Sequence, residues 1–87
     1  MAMTEEQQFA LWAVYDKSFG LQDCIAQNAD NLDIALRESA LLDNQKGKAQ
    51  ALGIPSMLIK QAEQMGHRDF HDGKPLRNYT EFSCLQR

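Results

Sequence analysis

His67 and His71 stand four residues apart, with Asp69 between them and Asp72 directly after. On a helix that spacing turns both imidazoles to one face, where they can ligate Zn²⁺. Gly66 and Gly73 bracket the segment, however, so it reads as a polar loop, and no third ligand is placed. Solvated histidines are expected there, and no metal site. The candidate nucleophiles are no better supported. Cys24, Ser18 and Ser39 can each be imagined in a dyad, but nothing positions a base or an oxyanion site beside them. Cys24 and Cys84 lie sixty residues apart in no metal-ligand spacing, and the sequence leaves a disulfide between them open. The chain therefore does not read as an enzyme, and no catalytic residue and no cofactor is expected.

What remains is association, and two surfaces suit it. Residues 1–43 carry eight acids against Lys17 and Arg37, a balance of −6; residues 44–87 carry seven bases against four acids, a balance of +3, and the sum is the net charge of −3. Within the acidic half, Asp23, Asp30, Asp33 and Glu38 recur along the outer faces of the first helices. Such a row can imitate the regular charge of a nucleic-acid backbone and close the positive groove of a nucleic-acid-processing complex. The plain alternative is a solvated helix face. Phe9 and Trp12 are the aromatic residues expected at the surface, and large aromatics at a rim make good binding anchors.

The second half contains Ala49-x-x-Leu52-Gly53-Ile54-x4-Ile59-x2-Ala62. This pattern resembles the helix-turn-helix of DNA-binding regulators, in which a small residue on the first helix admits the second, glycine makes the turn and apolar residues lock the pair. The resemblance covers residues 48–65. It implies a recognition helix over Pro55–Gln64 with Ser56, Lys60, Gln61 and Gln64 facing the major groove, Lys46 and Lys48 on phosphates, and a dimer. Nucleic acid is a partner only under this alternative.

These residues must be positioned by helices. Thr4-Glu5-Glu6-Gln7 has the form of a capping box with acids in the first turn, and Phe9, Trp12, Tyr15 and Phe19 follow at helical spacing. An aromatic-rich first helix is expected over 4–19, ended by Gly20. Leu21, Cys24, Ile25, Asn28, Leu32, Ala35 and Leu36 continue at three- and four-residue steps with Asn28 interrupting the apolar stripe, so 21–43 forms one helix or two, the second capped by Asp30 or Asn31. Residues 43–47 read as a loop, 48–53 as a short helix, Gly53-Ile54-Pro55 as a break and 56–65 as a further helix ended by Gly66. The stretch 67–75 reads as a polar loop, and 76–87 as a tail or a short helix capped by Thr80 that docks Phe82 and Leu85.

No alternating apolar run suggests a sheet. The expectation is an all-α fold: a compact single domain over 1–87 with four or five short helices. Its core should set Leu11, Val14, Tyr15 and Phe19 against Leu21, Ile25, Leu32, Leu36, Leu52, Ile54, Ile59 and Ala62. No stretch approaches the ~20 apolar residues of a membrane span, and the acidic start has no apolar run behind it, so a cytoplasmic protein with no membrane contact is expected. A chain of 87 residues buries only about two-thirds of its extended surface, which makes a protein partner, or a second copy in a homodimer, a natural source of further stability.

Overall fold

The structure is a computed structural model that describes residues 3–79 of the chain. It is all-helical and consists of three helices, α1 (Glu5–Gln27), α2 (Leu32–Ala51) and α3 (Ser56–His71), followed by an extended strap over 74–79. Among the described residues there is no strand. Among the described residues the helix count is three instead of four or five, because three of the five glycines lie inside helices where punctuation was expected.

α1 begins as its sequence dictates. The Thr4 hydroxyl accepts the Gln7 backbone N–H at 3.1 Å and the Gln7 side chain accepts the Thr4 N–H at 3.0 Å, which satisfies two backbone donors that a helix start leaves without partners. The helix does not stop at Gly20. It runs to Gln27, and Asn28 closes it by donating its backbone N–H to the Cys24 carbonyl at 2.9 Å. Gly20 is exposed, and a Cβ there would meet nothing from elsewhere in the fold within 4 Å, so a helical glycine at this position costs only about 1 kcal/mol of propensity, less than the packing on either side returns. The division within 21–43 falls at residues 28–31, where Asn31, not Asp30, caps α2 by accepting the Ile34 N–H at 3.3 Å.

α2 also runs straight through the expected loop at 43–47, because Leu42 and Ala49 lie one on each side of it and both are buried. Its true end is at Gly53. There the backbone is left-handed (φ 85°), and the Gly53 and Ile54 N–H groups donate back to the carbonyls of Gln50 and Ala49. That is the bonding of a Schellman ending, a conformation in which glycine carries no Cβ penalty. Gly73 repeats the device at the end of α3 (φ 73°), with its N–H on Phe70 and that of Lys74 on Asp69. Gly66 instead lies buried in mid-helix, and His67–His71 are helical residues.

α1 is the centre of the molecule. α2 returns antiparallel along it, and α3 then runs in the same general direction as α1: Gln7 bonds Leu52, Ser18 bonds Glu63 and Gln22 bonds His71. α2 and α3 each pack on α1 and touch one another little. With helices on two sides and the strap on a third, α1 buries five of the six residues from Ala10 to Tyr15.

The core holds Leu11, Val14, Tyr15, Ile54, Ile59 and Ala62 as expected, with Leu21 and Leu52 packed against it in part. Phe19 is only half-buried. Ile25, Leu32 and Leu36 lie outside the core in which their spacing set them, being 42, 72 and 59% exposed. α3 ends level with Gln22, so Ile25 lies past its reach. Leu32 and Leu36 stand ~80° and ~120° round α2 from buried Leu42 at 100° per residue, turned away from α1. Thr80, Phe82, Cys84 and Leu85 lie outside the described residues.

Candidate functional site

The strap reaches α1 through a buried polar knot. Asp69, on the inner face of α3 and only 2% exposed, accepts the Tyr15 hydroxyl at 2.7 Å and the Arg77 Nε at 2.9 Å. The Arg77 backbone N–H donates to the Tyr15 oxygen at 2.9 Å, and the Arg77 carbonyl accepts the Trp12 indole N–H at 2.9 Å. Among the described residues no buried side-chain nitrogen or oxygen lacks a partner, as burial of such groups requires. Burial by itself would raise the Asp69 carboxyl, but the hydrogen bonds from Tyr15 and Arg77 outweigh it and hold the group below its ordinary value. Burial pushes the Tyr15 phenol up to about 12; the Arg77 N–H opposes that shift and Asp69 adds to it.

This knot fixes what happens at the aromatic end of α1. Trp12 is half-buried and spends its polar atom on the strap. Phe9 is 54% exposed, with its ring 5.7 Å from Trp12 and 5.6 Å from Tyr79, centroid to centroid. Tyr79 is held by its own hydroxyl, which donates to the Glu5 carbonyl at 3.2 Å. Glu5, Glu6, Phe9 and Tyr79 together line an open cleft. Of the two expected surface aromatics, Phe9 is therefore the accessible one. Tyr79 carries no local signal in the sequence that would pair it with a residue seventy positions earlier.

The four acids gather at the opposite end. Asp23 is in the last turns of α1 and accepts the Gln27 side chain at 2.9 Å; Asp30 is in the connecting turn, Asp33 in the first turn of α2 and Glu38 in its second. Asp30 and Asp33 are exposed, Asp23 and Glu38 half-exposed. Among the described residues none of the four joins an ion pair; those formed are Lys46–Glu63 at 3.0 Å and Arg77–Asp69 at 2.9 Å. Phe9 and Asp23 are separated by fourteen residues, or ~21 Å along the helix, on nearly the same side of it. The acidic and aromatic features are thus two patches, not one.

The residues of the DNA-binding alternative are dispersed differently. Ser56, Lys60, Gln61 and Gln64 are all exposed on α3, while Lys46 is engaged by Glu63 and Lys48 is exposed near the end of α2. Ala49 is fully buried in the core cluster, and α2, which carries it, packs mainly on α1. The expected loop histidines stand on α3 with ring centroids 4.4 Å apart, and His71 Nε2 lies 3.1 Å from Gln22 Oε1. The described residues hold no group of three or more ligand-type side chains placed for a metal ion. Ser18, one of the imagined nucleophiles, is buried and donates its hydroxyl to the Glu63 carbonyl at 2.6 Å, a helix-to-helix tie. No described helix is long and apolar enough to cross a membrane.

No protein-family model matches the chain, and neither a curated protein nor a solved structure matches it.

Proposed function

We propose that this chain is a small non-enzymatic binding protein that modulates or inhibits a macromolecular partner, and that the partner offers a basic surface of the kind nucleic-acid-processing complexes use to hold nucleic acid. The observation that carries the reading is the end of the α1–α2 hairpin. Four acids, none of them in an ion pair among the described residues, are collected there against the single base Arg37, beside exposed Ile25, Leu32 and Leu36. Exposed charge of one sign steers a complementary partner into place, and adjacent aliphatic side chains supply area that is worth removing from water. Phe9, at the other end of the same helix, extends the contact.

The test is capture of the basic partner by wild-type chain and by two charge-reversed pairs, Asp30→Lys with Asp33→Lys and Asp23→Lys with Glu38→Lys. Because Asn31 is the cap of α2, none of these changes removes a capping side chain; Asp33→Lys puts a cation in the first turn of α2, where the helix dipole disfavours it by ~0.3–1 kcal/mol, and the other sites should each move stability by no more than ~0.5 kcal/mol. Recovery of the partner should fall for both pairs. Undiminished recovery by both would exclude the acidic end as the contact. A duplex-DNA titration run alongside should give no affinity at physiological salt; sub-micromolar binding that falls steeply with salt, through Lys46, Lys48 and Lys60, would put the helix-turn-helix alternative first.

A further inference from the structure

The cleft at the N-terminal end of α1 joins aromatic side chains to carboxylates. It has a volume of about 410 Å³ and is lined by Phe9, Tyr79, Glu5 and Glu6. The Phe9 and Tyr79 rings are tilted 58° to each other at 5.6 Å, with Trp12 behind Phe9 at 47°. Phe9 is 54% exposed although it stands in a cluster of three rings, so a large part of its surface is turned to the cleft and to solvent. The site is held from both sides: the Trp12 indole is tied to the Arg77 carbonyl and the Tyr79 hydroxyl to the Glu5 carbonyl. Neither Glu5 nor Glu6 takes part in an ion pair among the described residues.

We propose that this cleft binds a cationic side chain of the partner, and that an arginine guanidinium is the group it fits. Ring faces carry negative quadrupole density and attract a cation laid over them. A guanidinium is planar and weakly hydrated, so it stacks on a ring while its N–H fork serves the two carboxylates at the rim. An anion is disfavoured by Glu5 and Glu6, and the capping box already occupies helix-start donors that would otherwise receive one. A purely apolar anchor would strip water from two carboxylates and give nothing back. The inference rests on the reading that the chain works on a basic partner, and it names the group recognised at the end of α1 remote from the Asp23–Glu38 patch.

Two probes separate this inference from that reading. Gly-Arg-Gly, titrated into the full chain and followed by amide and indole chemical shifts, should move the signals of Glu5–Phe9 and the Trp12 indole saturably. Phe9→Ala should weaken it by about two- to fivefold, the range of an exposed cation–ring contact, and Glu5→Gln with Glu6→Gln should separately weaken it by up to about fivefold, the range of an exposed ion pair, whereas Asp30→Lys with Asp33→Lys should not. The absence of saturable shifts at these positions, or an equal response to Gly-Leu-Gly, would overturn the assignment. The second probe is an octa-arginine peptide. Loss of its binding with Asp23→Lys and Glu38→Lys but not with Phe9→Ala would retain the acidic surface and remove the cleft; indifference to all of these variants would remove both.

Discussion

Tyr15, Asp69 and Arg77 show how three ordinary polar residues decide the course of a chain. None is part of a recognisable motif, and the aromatic spacing of α1 marks Tyr15 only as core. Its burial is indeed complete, but its hydroxyl also accepts the Arg77 N–H of the strap and donates a hydrogen bond to Asp69. The pH profile of stability should carry this knot at both ends. The Tyr15 phenol titrates at about 12 in the fold against 10.0 for the free group. Its contribution is therefore complete below pH ~10 and is lost as pH rises towards 12, a fall of ~2–3 kcal/mol. Asp69 has the opposite sign: its value is depressed, so its contribution is fully present above the ordinary carboxylate value and is lost as pH falls from there through the depressed folded-state value. Denaturant melts across both ranges should show the two limbs. Tyr15→Phe should cost ~1–3 kcal/mol at neutral pH by leaving buried partners short of a bond, and should flatten the alkaline limb; an alkaline limb unchanged in that variant would mean another group is responsible.

At the scale of elements, the five glycines sort into three groups that their surroundings alone distinguish. Gly53 and Gly73 end helices with positive φ, whereas a Cβ on Gly66 would stand 2.5 Å from the Tyr15 carbonyl oxygen and 2.8 Å from the Phe19 nitrogen. Gly66 is thus the point where the α1 and α3 backbones meet, beside the Ser18–Glu63 bond. Replacement by alanine tests this because the local and tertiary effects have opposite signs. Helix propensity favours alanine by about 1 kcal/mol, yet Gly66→Ala should destabilise by ~1–3 kcal/mol through overpacking. Gly20→Ala and Gly47→Ala, where the added methyl meets nothing within 4 Å, should each stabilise by up to ~1 kcal/mol. A thermal melt reads these as shifts of ~4–8 °C per kcal/mol for a domain of this size. A higher midpoint for Gly66→Ala would show that the two helices do not approach as closely as this.

The whole molecule is elongated, with extents of 44 × 26 × 17 Å, because α1 and α2 outrun α3. The middle of α1 is enclosed by two helices and the strap, while the hairpin end has only its own two helices to pack. Local stability should follow that division. Amide hydrogen exchange should be slowest over residues 10–18 and 58–69 and much faster over 24–37. If residues 24–37 prove to be among the slowest in the chain, a second copy covers Ile25, Leu32 and Leu36, and sedimentation should then show a dimer that dissociates on dilution. The same enclosure explains why the site was only partly legible. Phe9 at the surface and the acids along the hairpin could be read from spacing and charge, since both depend on neighbours a few residues away. The cleft could not, because Tyr79 joins Phe9 across nearly the whole sequence.

Taken by itself, the sequence determined the all-helical class, the capped start of α1, the break at Gly53-Ile54-Pro55 and the inward face of Leu11, Val14 and Tyr15. These follow from hydrogen bonds and periodicities that operate within a turn or two of the helix. Tertiary structure alone decided which glycines interrupt a helix, where α1 and α3 end, and which of the aliphatic residues from Leu21 to Leu36 find a partner. A glycine's cost of about 1 kcal/mol is small against the packing on either side of it, and that packing depends on how far a neighbouring helix happens to reach. α3 reaches Gln22 and stops, which leaves Ile25, Leu32 and Leu36 outside the core that their spacing had promised them.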